Sequence, residues 1–268
     1  MVTNRYPLSE RLEAVMLRAL HEAAPGETTA ALGLHLEEID GALISVAGRD
    51  PSIVLNRTLG LGLVRPAMPE TVQVIRGRYT DAGVDRFFLH VHPEAAPGNL
   101  ADMLGAAGLQ SYRRWMKFER GPEAPPAAST SLRVREIDAA HGADFGRIVA
   151  AAFDLSPEAA GLFPGLIGRQ GFHLYMSFDG ATPAGTGLLY IDGDSAWLDC
   201  GATDPASRGR GSQRALLARR IGDALAAGCT RLMTCTGEEV PGDPQHSYHN
   251  IEWAGFRPAY LRENWIPG

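Results

Sequence analysis

Only three cysteines occur in the 268 residues: Cys200, Cys229 and Cys235. So sparse and odd a set, with no metal-ligand spacing, excludes a disulfide framework and fits free thiols in a reducing compartment. No apolar run approaches the ~20 residues of a membrane-spanning helix. The opening Met-Val-Thr-Asn-Arg-Tyr-Pro lacks the hydrophobic segment of a secretory signal, so a cytoplasmic location without a membrane partner is expected. Excess positive charge is also missing. The formal net charge is -6, which argues against nucleic acid as a partner. What remains is ordinary for a globular protein, 45% hydrophobic and 21% charged, enough to build the cores of one large or two medium domains.

The run Gly121-Pro-Glu-Ala-Pro-Pro-Ala-Ala-Ser-Thr130 carries three prolines and suits neither helix nor sheet. It places a linker at 121–131, between a first domain at 1–120 and a second at 132–268. In the first half, apolar residues at helical spacing (Leu8, Leu12, Val15, Met16, Ala19, Leu20) predict a helix that Pro25-Gly26 ends. Strands are expected at 41–47, 53–63, 85–91 and 112–119, and helices at 70–82 and 100–107. In the second half, strands are expected at 132–137, 172–178, 186–191, 196–203, 230–235 and 258–265, and helices at 142–153, 156–168, 213–227 and 247–254. The fold class is α/β with a mixed sheet. Ala82-Gly83-Val84-Asp85-Arg86-Phe87 mirrors Ala227-Gly228-Cys229-Thr230-Arg231-Leu232, and Ala107-Gly108-Leu109 mirrors Ala254-Gly255-Phe256. Two ordered matches with similar flanks read as an internal duplication.

The most informative stretch runs from Asp199 through Arg208-Gly-Arg-Gly-Ser-Gln213 into the helix beyond. A strand, a glycine turn and a helix start leave backbone N–H groups aimed together at the positive end of a helix dipole, a ready cradle for phosphate or pyrophosphate. Arg208 and Arg210 add charge. A dinucleotide turn needs a third glycine and an acidic residue ending the next strand, but Arg214 and Thr234-Cys235-Thr236 stand there. The first half has Leu59-Gly-Leu-Gly-Leu-Val-Arg-Pro-Ala-Met-Pro69 in the equivalent place. Pro66 and Pro69 remove donors and only Arg65 offers charge, so this half is not expected to hold a pyrophosphate.

Arg208-x-x-Gly211-x-Gln213 resembles the Gln/Arg-x-x-Gly-x-Gly/Ala loop of the GCN5-related N-acetyltransferase superfamily, apart from Gln213 at the last position. The lead-in Ala202-Thr203-x-Pro205, the later Ala254-Gly255-Phe256, and Ser247-x-x-Asn250 with Tyr260 are also similar to members. The resemblance covers about 132–265, and the repeat extends it to the first half as a degenerate copy. It implies two domains, each a mostly antiparallel central sheet flanked by helices. It also implies acetyl-coenzyme A as acyl donor, direct transfer to a primary amine of a small molecule, and no metal. The cofactor-binding residues it implies are Cys200, Gly201, Ala202, Thr203, Arg208, Gly209, Arg210, Gly211, Ser212, Gln213 and Asn250. Gly201 suits a bulge whose N–H could meet an oxyanion.

For the proton transfers, the tyrosine found in many members four residues before the Gly-Phe glycine is Ile251 here. The candidates are Asp199 as base, Tyr248 one turn earlier as acid, and Ser247 as an orienting group; each also has a plain structural reading. Cys200 reads as a small buried thiol, since direct transfer needs no covalent intermediate. His246 and His249, with Asp243, lack a third metal ligand. His90 and His92 share one strand face and read as a solvated or interdomain pair. The aromatics Phe153, Phe163, Phe172, Tyr190 and Trp197 could line a substrate pocket or fill the core. Homodimerisation is left open. The competing functional reading is a regulatory or sensor protein that binds acyl-coenzyme A without chemistry, to which Ile251 gives weight.

Overall fold

The computed structural model describes residues 5–242 and 245–268, so Asp243 lies outside the described residues. By its contacts the chain divides into two compact units, Met1–Trp115 with Tyr260–Gly268, and Met116–Ala259. The proline-rich run at 121–130 falls inside the second.

The first unit opens with α1 (Leu8–Ala23), α2 (Gly26–Leu32), β1 (Leu34–Ile39), β2 (Ala42–Ala47) and β3 (Arg57–Leu59). It continues through α3 (Pro69–Asp81), β4 (Phe88–Val91), α4 (Leu100–Ala106) and β5 (Leu109–Arg120), whose last residues belong to the second unit. The apolar stripe of α1 buries Leu12, Met16, Leu17 and Leu20 as its spacing predicts, and it also buries Glu10 and Glu13. The sequence reading had no α2 or β1. The strand expected at 53–63 shrinks to β3, because the Asn56 side chain ties the preceding loop to Ala47 and Asp50 and the chain bends again at Gly60.

The second unit contains β6 (Arg133–Glu136), α5 (Gly142–Ala152), β7 (Phe172–Asp179), β8 (Thr182–Asp192), β9 (Ser195–Thr203), α6 (Ser212–Ala226), β10 (Arg231–Gly237) and α7 (His246–Trp253). The last strand, β11 (Arg257–Pro267), leaves it and runs into the first unit. The helix expected at 156–168 is instead two short 3-10 turns, Pro157–Leu162 and Pro164–Leu166. Pro164, with Gly161 and Gly165 around it, denies an α-helix its bonds there.

In the first unit the strand order is β1-β2-β3-β4-β11-β5, and in the second β10-β9-β8-β7-β6. Both contain the same motif. An antiparallel neighbour precedes a parallel pair, β3/β4 or β9/β10, joined by one crossover helix, α3 or α6. Ala82-Gly83 and Ala227-Gly228 close those helices, and Ala107-Gly108 and Ala254-Gly255 close α4 and α7. The repeat in sequence is thus a repeat in element order.

Each unit has its own core. Val72, Ile75, Tyr79, Phe87 and Leu89 anchor the first, and Leu198, Leu216, Ile221, Leu232 and Phe256 the second. His90 and His92 are not solvated: both are buried in the first unit, His90 bonding Asn264 at 2.6 Å and His92 packing edge-on to Tyr260. Four charges are buried beside them. Arg262 reaches Glu10 (2.8 Å) and Glu13 (2.5 Å), and Arg57 reaches Glu13 (2.9 Å). No helix among the described residues is long and apolar enough to cross a membrane.

Candidate functional site

Strand β9 has two irregularities, and both lie in the stretch singled out from sequence. The first is a bulge. Thr186 pairs with Ala202 and Leu188 with Asp199, so two residues of β9, Cys200 and Gly201, stand opposite the single Gly187 of β8. Cys200 takes the left-handed conformation at φ 50°, uncommon for a residue with a Cβ. The second is a splay. Parallel pairing with β10 covers Ser195–Trp197 against Arg231–Met233 and then stops, though both strands continue. The Thr234 hydroxyl donates to Leu198 O at 2.8 Å where they part. Among the described residues the pairing of β9 with β10 ends at Trp197 and Met233, just before the bulge.

β9 leads into a 3-10 turn at Pro205–Ser207 and then the glycine turn. The first backbone bond into α6 runs from Ala215 N–H to Gly211 O at 3.1 Å. Among the described residues, the N–H groups of 209–213 donate to no protein acceptor. Such consecutive free amides at a helix start form an anion cradle. Gly211 is required twice over: its φ is 81°, and a Cβ there would sit 2.6 Å from Ser129 O. Thr130 backs the turn by donating to Arg210 O at 2.6 Å.

The charges around the turn differ from the sequence reading. Arg208 is exposed and pairs with none of the described residues. Arg210 is held by Asp179 at 2.6 Å, so its charge is largely matched, and Asp179 is held below the usual carboxylate range by that bond. Ser212 shares a 2.8 Å hydrogen bond with Ser177 of β7. The Gln213 side chain turns back onto the sheet, donating from Nε2 to Ala202 O at 2.6 Å and approaching Thr203 Oγ1 at 3.1 Å. Its backbone N–H thus stays in the cradle while its side chain leaves it.

The proton-transfer candidates are placed as follows. Asp199 accepts the indole N–H of Trp197 (2.9 Å) on one oxygen and the Cys200 N–H (2.7 Å) on the other. Trp197 is fully buried with the Lys117 ammonium over its ring, 4.7 Å from the centroid. Tyr248 packs edge-on against Phe118 at 4.8 Å. Burial, then Glu252 and Glu239, push its phenol above the ordinary value, so it stays protonated and able to donate. Ser247 is exposed, and Ile251 is core. Asn250 accepts from Arg214 Nε at 3.2 Å, tying α7 to α6. Of the aromatics weighed as pocket lining, Phe163, Phe172 and Trp197 are buried; Phe163 packs on Phe145 and Phe172 on Tyr190. No group of three or more His, Cys, Asp or Glu among the described residues could hold a metal ion.

Sequence reasoning missed Arg220. It is buried on α6, and its signal was an arginine at a core position of the helix stripe, between Leu216 and Ala224. Lys117 was missed likewise: it is buried in β5, a strand that carries four other charged residues, Arg113, Arg114, Glu119 and Arg120. In the first unit, the place of the glycine turn is filled: the Tyr6 ring lies against Gly60, where a Cβ would meet its Cζ at 2.0 Å, and the Tyr6 hydroxyl donates to Gly41 O.

No protein-family model matches this sequence, nor does any curated protein. Solved structures do match. A GCN5-related N-acetyltransferase from Kribbella flavida aligns with a TM-score of 0.64 at 16% identity, covering 97% of this chain and 96% of that one. One from Sphaerobacter thermophilus aligns at 0.57 and 15%, covering 98% and 93%. A tandem protein of the same kind from the clavulanic acid biosynthesis pathway aligns at 0.58 and 13%, covering 97% and 96%. Across nearly its whole length, the chain has the fold of the GCN5-related N-acetyltransferases.

Proposed function

We propose that the second unit binds acetyl-coenzyme A and transfers its acetyl group directly to a primary amine of a small molecule. One observation carries this reading. The end of the β9–β10 pairing, the bulge and the amide cradle at 209–213 follow one another along a single stretch of chain. A long ligand with an anionic middle and a reactive acyl end suits that sequence of features. The cradle and Arg208 would hold the pyrophosphate, and Cys200–Thr203 would run beside the pantetheine arm. The thioester supplies the activated acyl group. The N–H of Gly201 at the bulge would meet the developing oxyanion. Asp199 would accept the amine proton through water, and the Tyr248 phenol would return one to the leaving sulfur. A cytoplasmic setting follows from this cofactor.

Acetyl-coenzyme A should raise the Tm of the intact chain and bind with a stoichiometry of about one per chain, because Tyr6 fills the equivalent place in the first unit. Absence of any shift or binding heat at millimolar cofactor sinks the proposal. A second reading, binding without turnover, draws on Asp199, whose two oxygens both have partners already, and on Ile251 in the core. Cofactor binding with no thiol release across a panel of amines would favour it.

A further inference from the structure

A bulge interrupts a ladder and leaves carbonyl groups without their usual donors. In β8 and β9, side chains rather than strand amides take up that role. Gln213 Nε2 donates to Ala202 O at 2.6 Å and lies 3.4 Å from Thr186 O, on one side of the slip. Arg220 Nη1 donates to Leu188 O and Asp199 O, both at 3.0 Å, on the other side. Thr186 Oγ1 donates to Cys200 O at 2.9 Å between them. Gln213 and Arg220 are seven residues apart, two turns of one helix face. Both approaches are tight: a Cβ on Gly201 would come 2.9 Å from Gln213 Oε1, and one on Gly187 would come 2.6 Å from Arg220 Cζ. Burial draws the Arg220 guanidinium down to about 10, so it remains charged at neutral pH beneath the bulge. Among the described residues its hydrogen-bond partners are backbone carbonyls, and the Asp199 carboxylate acts on its charge through space.

We infer that Gln213 and Arg220 are positioning residues. They brace the Cys200–Gly201 bulge from α6 and couple its shape to the anion cradle at the start of the same helix. Gln213 stands at both ends of that coupling, its N–H in the cradle and its side chain on the bulge. The residue by which the turn departs from the family pattern is therefore the residue that fastens the turn to the strand. The brace stands on geometry alone; its consequence for transfer rests on the reading proposed above.

Cys200 is 5% exposed and sits in the bulge, so its thiol reports directly on the brace. The experiment uses the full chain with Cys229→Ala and Cys235→Ser, leaving Cys200 as the only thiol, and follows labelling by N-ethylmaleimide. Labelling should be slow in this parent. Gln213→Ala and Arg220→Lys should each speed it about tenfold, the effect expected for local opening after loss of a buried hydrogen bond. Gln213→Glu, which removes the donor while keeping the size, should behave like Gln213→Ala and serves if Arg220→Lys does not fold. Global stability by urea is measured in parallel. Labelling that is unchanged, or that rises only as far as global stability falls, overturns the brace. In turnover assays the same variants should lose about tenfold in kcat with little change in KM for acetyl-coenzyme A; loosened labelling with kcat intact overturns the positioning role. If the parent neither binds nor turns over acetyl-coenzyme A, the acetyl-transfer reading falls, and labelling still decides whether the brace exists.

Discussion

The indole N–H of Trp197 donates to Asp199 at 2.9 Å, and the other oxygen of that carboxylate caps the N–H of Cys200. One side chain thereby joins a buried aromatic to the strained residue of the bulge. Asp199→Asn separates the two roles open to this group. An asparagine oxygen can still cap Cys200 but leaves the buried Trp197 N–H facing an amide donor, so the fold should hold with a stability loss of about 1–3 kcal/mol. If Asp199 takes the amine proton, kcat should fall by a factor of about 100 or more while acetyl-coenzyme A binding is unchanged. Wild-type kcat in the variant would reduce Asp199 to a cap.

The cradle should respond differently to its two kinds of residue. Arg208→Ala removes an exposed charge, so acetyl-coenzyme A should bind about tenfold more weakly, with a shallower dependence on salt. Gly211→Ala forces a Cβ toward Ser129 O and a left-handed conformation, and should abolish binding in calorimetry. Equal, small losses in the two variants would mean that the ligand lies elsewhere.

Cys200 offers a test of backbone strain. At φ 50° an alanine keeps the cost of the left-handed conformation, about 1 kcal/mol, whereas a glycine removes it. Cys200→Gly should therefore be at least as stable as Cys200→Ala in urea unfolding, the reverse of the usual order within a strand. A Cys200→Ala protein more stable by ~1 kcal/mol would show that the bulge is relaxed.

Acid should weaken the first unit through His21. Burial, then the nearby His35 and Arg18, lower its pKa to about 4, and its ring bonds the Ser45 hydroxyl at 2.8 Å. The folded form therefore favours neutral His21 while the unfolded chain protonates near 6.5. The stability this provides is complete above pH 6.5, declines as pH falls from there towards 4, and is lost below. His90, pushed down by burial and then by Arg262, acts in the same direction. Tm measured from pH 7 to 4.5 should fall less steeply in His21→Gln than in the wild type; parallel curves would exclude His21.

Glu13 neutralises both Arg57 and Arg262. Glu13→Ala removes the carboxylate that Arg57 contacts and leaves Arg262 with Glu10, and should cost about 3–5 kcal/mol. A loss under 1 kcal/mol would mean that water reaches the cluster.

The second unit was largely legible in the sequence because its signals are local. Glycines at helix ends, a strand running into an arginine–glycine turn, and apolar stripes each identify themselves within a few residues. The first unit was less so. Its β3 is cut short by Asn56, whose side-chain bonds leave no trace in periodicity, and α2 and β1 are too short and too polar to stand out. The bulge could be guessed only from Gly201. The brace on it could not, because Arg220 meets Leu188 and Asp199 through backbone carbonyls, and any residue supplies a carbonyl. Glu10 and Glu13 sat on the helix face that periodicity assigns to the core, but their partner, Arg262, lies some 250 positions away in the sequence.

Tyr260–Gly268 belongs with residues at the opposite end of the sequence, whereas the second unit is one uninterrupted segment. A ribosome making this chain supplies every residue of the second unit before the first can receive Arg262 and Asn264. Until then Glu10 and Glu13 lack Arg262, and His90 lacks Asn264. The first unit can thus close only after the second has been made, and a nascent chain stalled just short of β11 would already hold the complete glycine turn.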